Sequence, residues 1–300
     1  MLLALGGCGK DPVITDTMLD GEVIFDPSLY NPEEYLVSYA NPTPTPEEAA
    51  APVIIAVHGY SATTFEWNTF RERAALDSVP VSQVLLGGHG RTYDDFKNST
   101  WQDWQSAIME EYERLVNAGY TNVSLLTSST GGALVLELLA SGYFDNSLAP
   151  NEILLVDPIV VSSDKTLSMV GIVGPMLGYI ESGNTAEEDK YWYHFRPQET
   201  LQELQKVITR VRKELQRGIT LPPNSQMKVY KSDRDPVADA VSAVMIYKGV
   251  STDAGKPVEI DLVDSEIHVF TSLQLRHNPD ALDFQNQEDA FFDILERVGR

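Results

Sequence analysis

The sequence predicts an α/β fold: a mostly parallel central sheet with helices on both faces. Three observations predict it. Short apolar runs such as Val53-Ile54-Ile55-Ala56-Val57 and Ile153-Leu154-Leu155-Val156 lack polar alternation, the mark of strands buried on both faces. Stretches with helical spacing separate them, which is the order that builds parallel strands through crossovers. Several of the runs end in Gly, Ser or Asp at one end, where open parallel sheets place their ligands.

The elements follow in order. Tyr35-Leu36-Val37-Ser38-Tyr39 reads as a strand, and the Pro-rich 41–52 as a loop. Val53 to Val57 is a strand ending at His58-Gly59-Tyr60-Ser61, and Val81 to Leu86 is another ending at Gly87-Gly88-His89-Gly90. From Trp101 to Ala118 the residues Trp101, Trp104, Ile108, Tyr112 and Leu115 share one helical face, and Gly119 stops the helix. Asn122 to Thr127 is a strand and Gly131 to Ala140 a helix. Strands then follow at 153–156, from Met227 and at 258–263, with a closing helix from Glu288 to Val298. The alternation lapses between Asp157 and Met227, which holds the apolar 166–180, the cluster Tyr191 to Phe195 and a helix from Glu199 to Arg217. This divides the chain into an N-terminal signal remnant and acidic tether (1–30), a core made of 31–157 and 227–300, and a helical cap inserted at 158–226 before the last strands.

Composition narrows the function. Three hundred residues with 43% hydrophobic content bury a substantial core. A net charge of −22 repels phosphate backbones and argues against nucleic-acid binding. The one cysteine, Cys8, rules out an intramolecular disulfide framework. Leu5-Gly6-Gly7-Cys8 resembles a bacterial lipoprotein box, so Cys8 is the expected lipidation site of an extracytoplasmic envelope protein attached to the membrane; the alternative is a cytoplasmic protein with a free thiol at a frayed terminus. There is no zinc-like His/Cys cluster, no phosphate-cradling loop and no dinucleotide fingerprint, so no cofactor and no metal are expected. Oligomeric state is not encoded legibly.

The chemistry concentrates at Leu125-Leu126-Thr127-Ser128-Ser129-Thr130-Gly131-Gly132. An apolar run ends in serine, and two glycines open an apolar helix. That is the shape of a nucleophile elbow, a sharp strand-to-helix turn that presents a hydroxyl. The residue two places after the nucleophile must be tiny, so Ser129, followed by Thr130 and Gly131, fits better than Ser128. Thr127 stands where the first glycine of G-x-S-x-G falls.

A serine nucleophile needs a base, and the base needs an acid to orient it. Downstream, Tyr230-Lys231-Ser232-Asp233-Arg234-Asp235-Pro236-Val237 leaves a strand, and Ile267-His268-Val269 follows the next. Asp235 and His268 are the candidates; Asp233 and Asp157 are rival acids and His277, in an expected helix, a rival base. Taken together with His58-Gly59 and Gly88-His89-Gly90, these motifs resemble the α/β-hydrolase superfamily, especially its capped carboxylesterases and monoacylglycerol-lipase-like members, over about 53–270. The resemblance implies Ser129 as nucleophile, Asp235 as acid and His268 as base. It also implies an oxyanion hole from the backbone N–H groups of Thr130 and Tyr60, with Ser61 the other candidate for the second donor. His58, Met169, Met176 and Trp192 are the expected pocket residues, cap packing being the competing role for the methionines and Trp192, and a loop-shaping role for His58. The expected activity is cleavage of a small-molecule carboxylic ester of short to medium acyl chain through an acyl-enzyme. The alternatives are a monoacylglycerol lipase, an amidase or peptidase of the same fold, and a catalytically silent surface-anchored binder.

Overall fold

Residues Val53–Val57 (β1) form a strand whose side chains divide by parity. Val53, Ile55 and Val57 enter one hydrophobic cluster, and Ile54 and Ala56 enter another on the opposite face. The same split recurs in β3 (Val123–Ser128), with Leu125 and Leu126, and in β4 (Glu152–Val156), with Ile153 and Leu154. Strands buried on both faces in this way have no solvent side to mark with polar residues, which is why they read as unbroken apolar runs. The computed structural model describes residues 12–15, 19, 40–163 and 178–299. The expected strand at Tyr35–Tyr39, together with Cys8, Met169 and Met176, lies outside the described residues.

With β2 (Val81–Val84), β8 (Gln226–Ser232) and β10 (Glu259–Val263), these strands form a six-stranded sheet in the order β10-β8-β4-β3-β1-β2, and every neighbouring pair is parallel. Of the four smaller strands, β5 (Tyr179–Glu181) pairs antiparallel with β6 (Phe195–Pro197), and β7 (Ile219–Thr220) pairs parallel with β9 (Val250–Ser251).

One face of the sheet packs helices Trp101–Ala118, Thr130–Ala140, Gln198–Arg217 and Val241–Gly249, and the other packs Asn68–Leu76 and Ala281–Val298. Trp101–Ala118 starts on a Thr100–Asp103 capping box and ends at Gly119, whose φ of 105° closes the helix in a conformation other residues resist. The helix Gln198–Arg217, assigned from sequence to the insertion, contributes Leu204, Val207, Ile208, Val211 and Leu215 to the main core cluster. It lies on the crossover between β4 and β8, two parallel neighbours that require such a connection. Residues 178–197 form the β5–β6 ribbon with a 3₁₀ turn at Glu188–Lys190.

Helices Asn68–Leu76, Tyr93–Asn98 and Val241–Gly249 were not anticipated, and the stretch read as a loop at 41–52 holds a short helix, Pro46–Ala50, started by a Thr45–Glu48 capping box. Helix Val241–Gly249 leaves Val241, Val244 and Tyr247 about half exposed, so its apolar residues do not gather on the buried face and its period is hidden. His277 falls in the loop before Ala281–Val298, not in a helix. Among the described residues no helix is long and apolar enough to cross a membrane.

Candidate active site

Ser129 stands at the junction of β3 and helix Thr130–Ala140 with φ 47° and ψ −111°, a conformation costly for any residue with a side chain. Two close approaches hold it there. A Cβ on Gly131 would lie 2.9 Å from the carbonyl oxygen of Val57, and one on Gly132 would lie 2.9 Å from Cβ of Pro158. The helix therefore starts hard against β1 and the turn after β4, and the serine is pushed to the rim between them. Thr127 fits the elbow as the buried next-to-last residue of β3; among the described residues its Oγ1 has no hydrogen-bond partner, so the extra side chain is accommodated at the cost of an unpaired hydroxyl. Ser128 points the other way, its hydroxyl donating to the carboxylate of Glu66 and to the carbonyl of Val57.

His268 Nε2 lies 2.9 Å from Ser129 Oγ, and His268 Nδ1 lies 2.8 Å from Asp235 Oδ2. In the Nδ1–H tautomer the ring donates to Asp235 and accepts from the serine hydroxyl. Asp235 is saturated with donors. Its Oδ1 accepts from the N–H groups of Val237 (2.7 Å) and Ala238 (3.1 Å), and its Oδ2 also accepts from Lys231 Nζ (2.6 Å). Burial pushes the Asp235 carboxyl up, but the hydrogen bond and charge of His268 and the ammonium of Lys231 outweigh it and hold the group well below the usual carboxylate range.

Asp157, the rival acid, does not reach His268 by any hydrogen bond. Its Oδ1 accepts from Lys231 Nζ (2.7 Å) and the Ser232 N–H (2.8 Å), and its Oδ2 from the Val269 N–H (2.9 Å). It ties the end of β4 to the end of β8 and to the residue following His268. Asp157 (φ 45°) and Val269 (φ 56°) both occupy the left-handed region, strain that this bonding holds in place. Ligating atoms of Asp157, Asp235 and His268 lie within 4.8 Å of one another, but the Lys231 ammonium already bridges the two carboxylates and opposes a metal cation there. Asp233 instead accepts from the Ser265 N–H (3.2 Å) and pairs with Arg234.

A cavity of about 240 Å³ opens over Ser129 and His268. Its wall includes Tyr60, Ser61, Thr130 and Trp192 of the residues anticipated from sequence. Neither the Tyr60 nor the Thr130 backbone N–H donates a hydrogen bond among the described residues, which leaves both available beside Ser129. His58 is not part of the wall. It is sealed beneath, with Nδ1 2.8 Å from the Gly59 carbonyl and Nε2 accepting from the Leu86 N–H (3.1 Å). Burial lowers its pKa to about 4. It shapes the loop after β1; the next residue, Gly59, is the one that lines the cavity. His194 bonds Asp189 (3.0 Å) and does not line the cavity.

Three groups escaped the sequence. Lys231 is fully buried in β8, a strand of mixed polar and apolar residues that also holds the partly buried Lys228; a lysine four residues before an aspartate at the strand's carboxyl end was the available signal. Glu66 accepts from the Gly59 N–H (2.9 Å) and from Ser128, clamping the turns after β1 and at the elbow. Arg196, on β6, lines the cavity.

A parallel sheet with a strained serine on the turn after β3, and an acid and a histidine on the loops after β8 and β10, is the arrangement of the α/β-hydrolase fold. Sequence comparison agrees. The chain is 25% identical over 205 residues to the thermostable monoacylglycerol lipase of Bacillus sp. strain H-257, covering 66% of this chain and 76% of that one. It is 23% identical over 218 residues to a carboxylesterase of Bacillus subtilis strain 168, covering 71% and 83%. No family model matches the chain. Among solved structures, one from work on the metagenome-derived lipolytic enzymes LipS and LipT superposes with a TM-score of 0.65 at 18% identity, over 83% of this chain and 96% of that one. A soluble variant of the Saccharomyces cerevisiae monoglyceride lipase gives 0.64 at 11% identity, over 83% and 86%. At these identities the structures speak for the fold.

Proposed function

We propose that this α/β hydrolase is a serine hydrolase of carboxylic esters, with short to medium acyl chains, working through an acyl-enzyme. The unbroken hydrogen-bond chain from Ser129 through His268 to Asp235 carries the reading. His268 takes the Ser129 proton as the hydroxyl attacks the ester carbonyl, and Asp235 holds the ring and stabilises its charged form. The oxyanion is received by the N–H groups of Tyr60 and Thr130, each such donor being worth about 3–4 kcal/mol at the transition state. The N-terminus of helix Thr130–Ala140 adds positive potential at the same point. His268 returns the proton to the departing alcohol and then activates the water that releases the acid.

The small cavity supports the acyl-length assignment, since about 240 Å³ lies just below the usual range of ligand pockets. The similarity to a monoacylglycerol lipase makes a monoacylglycerol the second candidate substrate. A series of p-nitrophenyl esters of increasing chain length, set beside matching p-nitroanilides, tests the reading together with fluorophosphonate labelling. The expected result is labelling at Ser129, ester turnover that declines for long chains and little amide turnover. Failure to label and to cleave any ester would overturn it. The resemblance of Leu5–Cys8 to a lipoprotein box supports membrane attachment, which mass spectrometry of the protein from its native host tests by the presence or absence of lipid on Cys8.

A further inference from the structure

We propose that the cavity holds an anion-binding wall built on Arg196, and that the ester it takes carries a carboxylate away from the scissile bond. This rests on the ester-hydrolase reading for its chemistry, and on the wall itself for its ligand. Arg196 lies on β6, whose short ribbon with β5 forms one side of the cavity over Ser129. Its Nη2 donates to Ser182 Oγ (3.1 Å). Its Nε is sealed from solvent and has no hydrogen-bond partner. Among the described residues no carboxylate pairs with this guanidinium.

That vacancy runs against the composition. The chain has 44 acidic residues for 22 basic ones, so an inward-facing arginine has an abundance of potential partners. The acids on the same wall are already engaged. Glu66 accepts from Gly59 and Ser128, and Glu188 accepts from the Thr185 N–H (2.8 Å) and faces Arg276 Nη1 at 3.8 Å. Arg276 itself lies over the Trp192 ring, 5.5 Å from its centre. Burial and the like charge of Arg276 lower the Arg196 pKa, offset in part by Tyr60, yet a guanidinium remains charged at neutral pH. A partly buried cation with a sealed Nε and no carboxylate partner among the described residues gains from an anion that completes it, and the planar fork of arginine matches a carboxylate with two parallel hydrogen bonds.

The anion is a carboxylate rather than a phosphate on two grounds. One uncompensated arginine balances one negative charge, and the net −22 of the chain repels a dianion more strongly than a monoanion. The cavity is also small, about 240 Å³. A half-ester of a short dicarboxylic acid has the required shape: an ester at Ser129 and a carboxylate at Arg196.

Calorimetry on the Ser129→Ala protein, with monoethyl glutarate, diethyl glutarate and a phosphorylated ester of similar length, tests this without turnover. The half-ester is expected to bind at least ten-fold tighter than the diester, by a margin that shrinks with added salt. Arg196→Met removes most of that margin and Arg196→Lys keeps part of it, each checked for folding by circular dichroism. Equal binding of half-ester and diester to Ser129→Ala overturns the proposal without recourse to either arginine variant. So does tighter binding of the phosphorylated ester, or a margin that survives in folded Arg196→Met. Fluorophosphonate labelling and ester turnover by the unsubstituted protein separate the two claims: a binding preference with no labelling and no cleavage of any ester leaves the wall standing and sinks the ester-hydrolase reading, whereas cleavage of p-nitrophenyl esters with no binding preference does the reverse.

Discussion

Lys231 Nζ sits 2.6 Å from the carboxylate of Asp235, on the same oxygen that faces His268. The ammonium is fully buried and is shared with Asp157, so one cation serves two carboxylates at the ends of two neighbouring strands. The arrangement binds the loop that carries His268 to the sheet through charge as well as packing.

Removing that cation leaves two buried carboxylates without their counterion. Lys231→Met is expected to destabilise the protein by about 3–5 kcal/mol, the cost of breaking a buried ion pair from one side. Lys231→Met with Asp157→Asn is expected to recover part of the loss. Urea unfolding of the single and double variants measures both, and equal stability of Lys231→Met and the parent would refute the role.

Asp235→Asn keeps the size of the side chain but deprives the imidazole of its anionic partner and favours the wrong tautomer. Under the proposed mechanism kcat for a p-nitrophenyl ester falls about 10⁴-fold, with little change in KM. Ser129→Ala and His268→Ala are expected to lose at least as much, and combining them adds little, because the three act as a unit. Steady-state kinetics on folded variants, judged by circular dichroism, decides the matter.

Gly131→Ala places a methyl group 2.9 Å from the Val57 carbonyl and 3.0 Å from that of His58. Both obstacles are backbone, so they yield only if β1 and helix Thr130–Ala140 part. A loss of about 1–3 kcal/mol in stability is expected from overpacking, with ester turnover reduced as Ser129 shifts relative to His268. Thermal unfolding and kinetics on the same sample report the two effects together.

His58 predicts acid sensitivity. Its folded pKa, lowered by burial to about 4, lies below the unfolded 6.5. Between those values the unfolded chain binds the extra proton, so the stability His58 contributes is complete above pH 6.5 and is lost as the pH falls towards 4. The shift corresponds to about 3 kcal/mol over that window. Protonation would also turn Nε2 into a donor facing the Leu86 N–H that now donates to it. Imidazole ¹⁵N shifts should show a neutral Nδ1–H ring at pH 5.5, and a charged ring there would contradict the assignment. Urea midpoints across the window follow the cost.

Much of the scaffold was readable because its signals are short-range. The apolar run Val53–Val57 became β1, the helical period from Trp101 to Ala118 became a helix with those bounds, and Gly119 ended it. The elbow was readable from its own residues, a serine at the end of an apolar run followed by small ones, although what excludes a Cβ at Gly131 is the backbone of Val57 and His58 at the end of the neighbouring strand. Helix Val241–Gly249 was not, since burial by the surrounding fold, and not an apolar stripe of its own, holds it in place.

The sequence by itself determined the alternation of strands and helices, the sharp turn at Ser129 and the order in which serine, acid and histidine follow one another. Only the tertiary structure decided that Asp235 and not Asp157 meets His268, that His58 lies beneath the cavity, that Lys231 backs Asp235, and that Glu66 and Arg196 line the cavity. Periodicity and turn chemistry are set by forces acting within a few residues. Which carboxylate receives which donor depends on groups as far apart in the chain as Asp157 and Val269, and that pairing exists only once the sheet has brought its strand ends together.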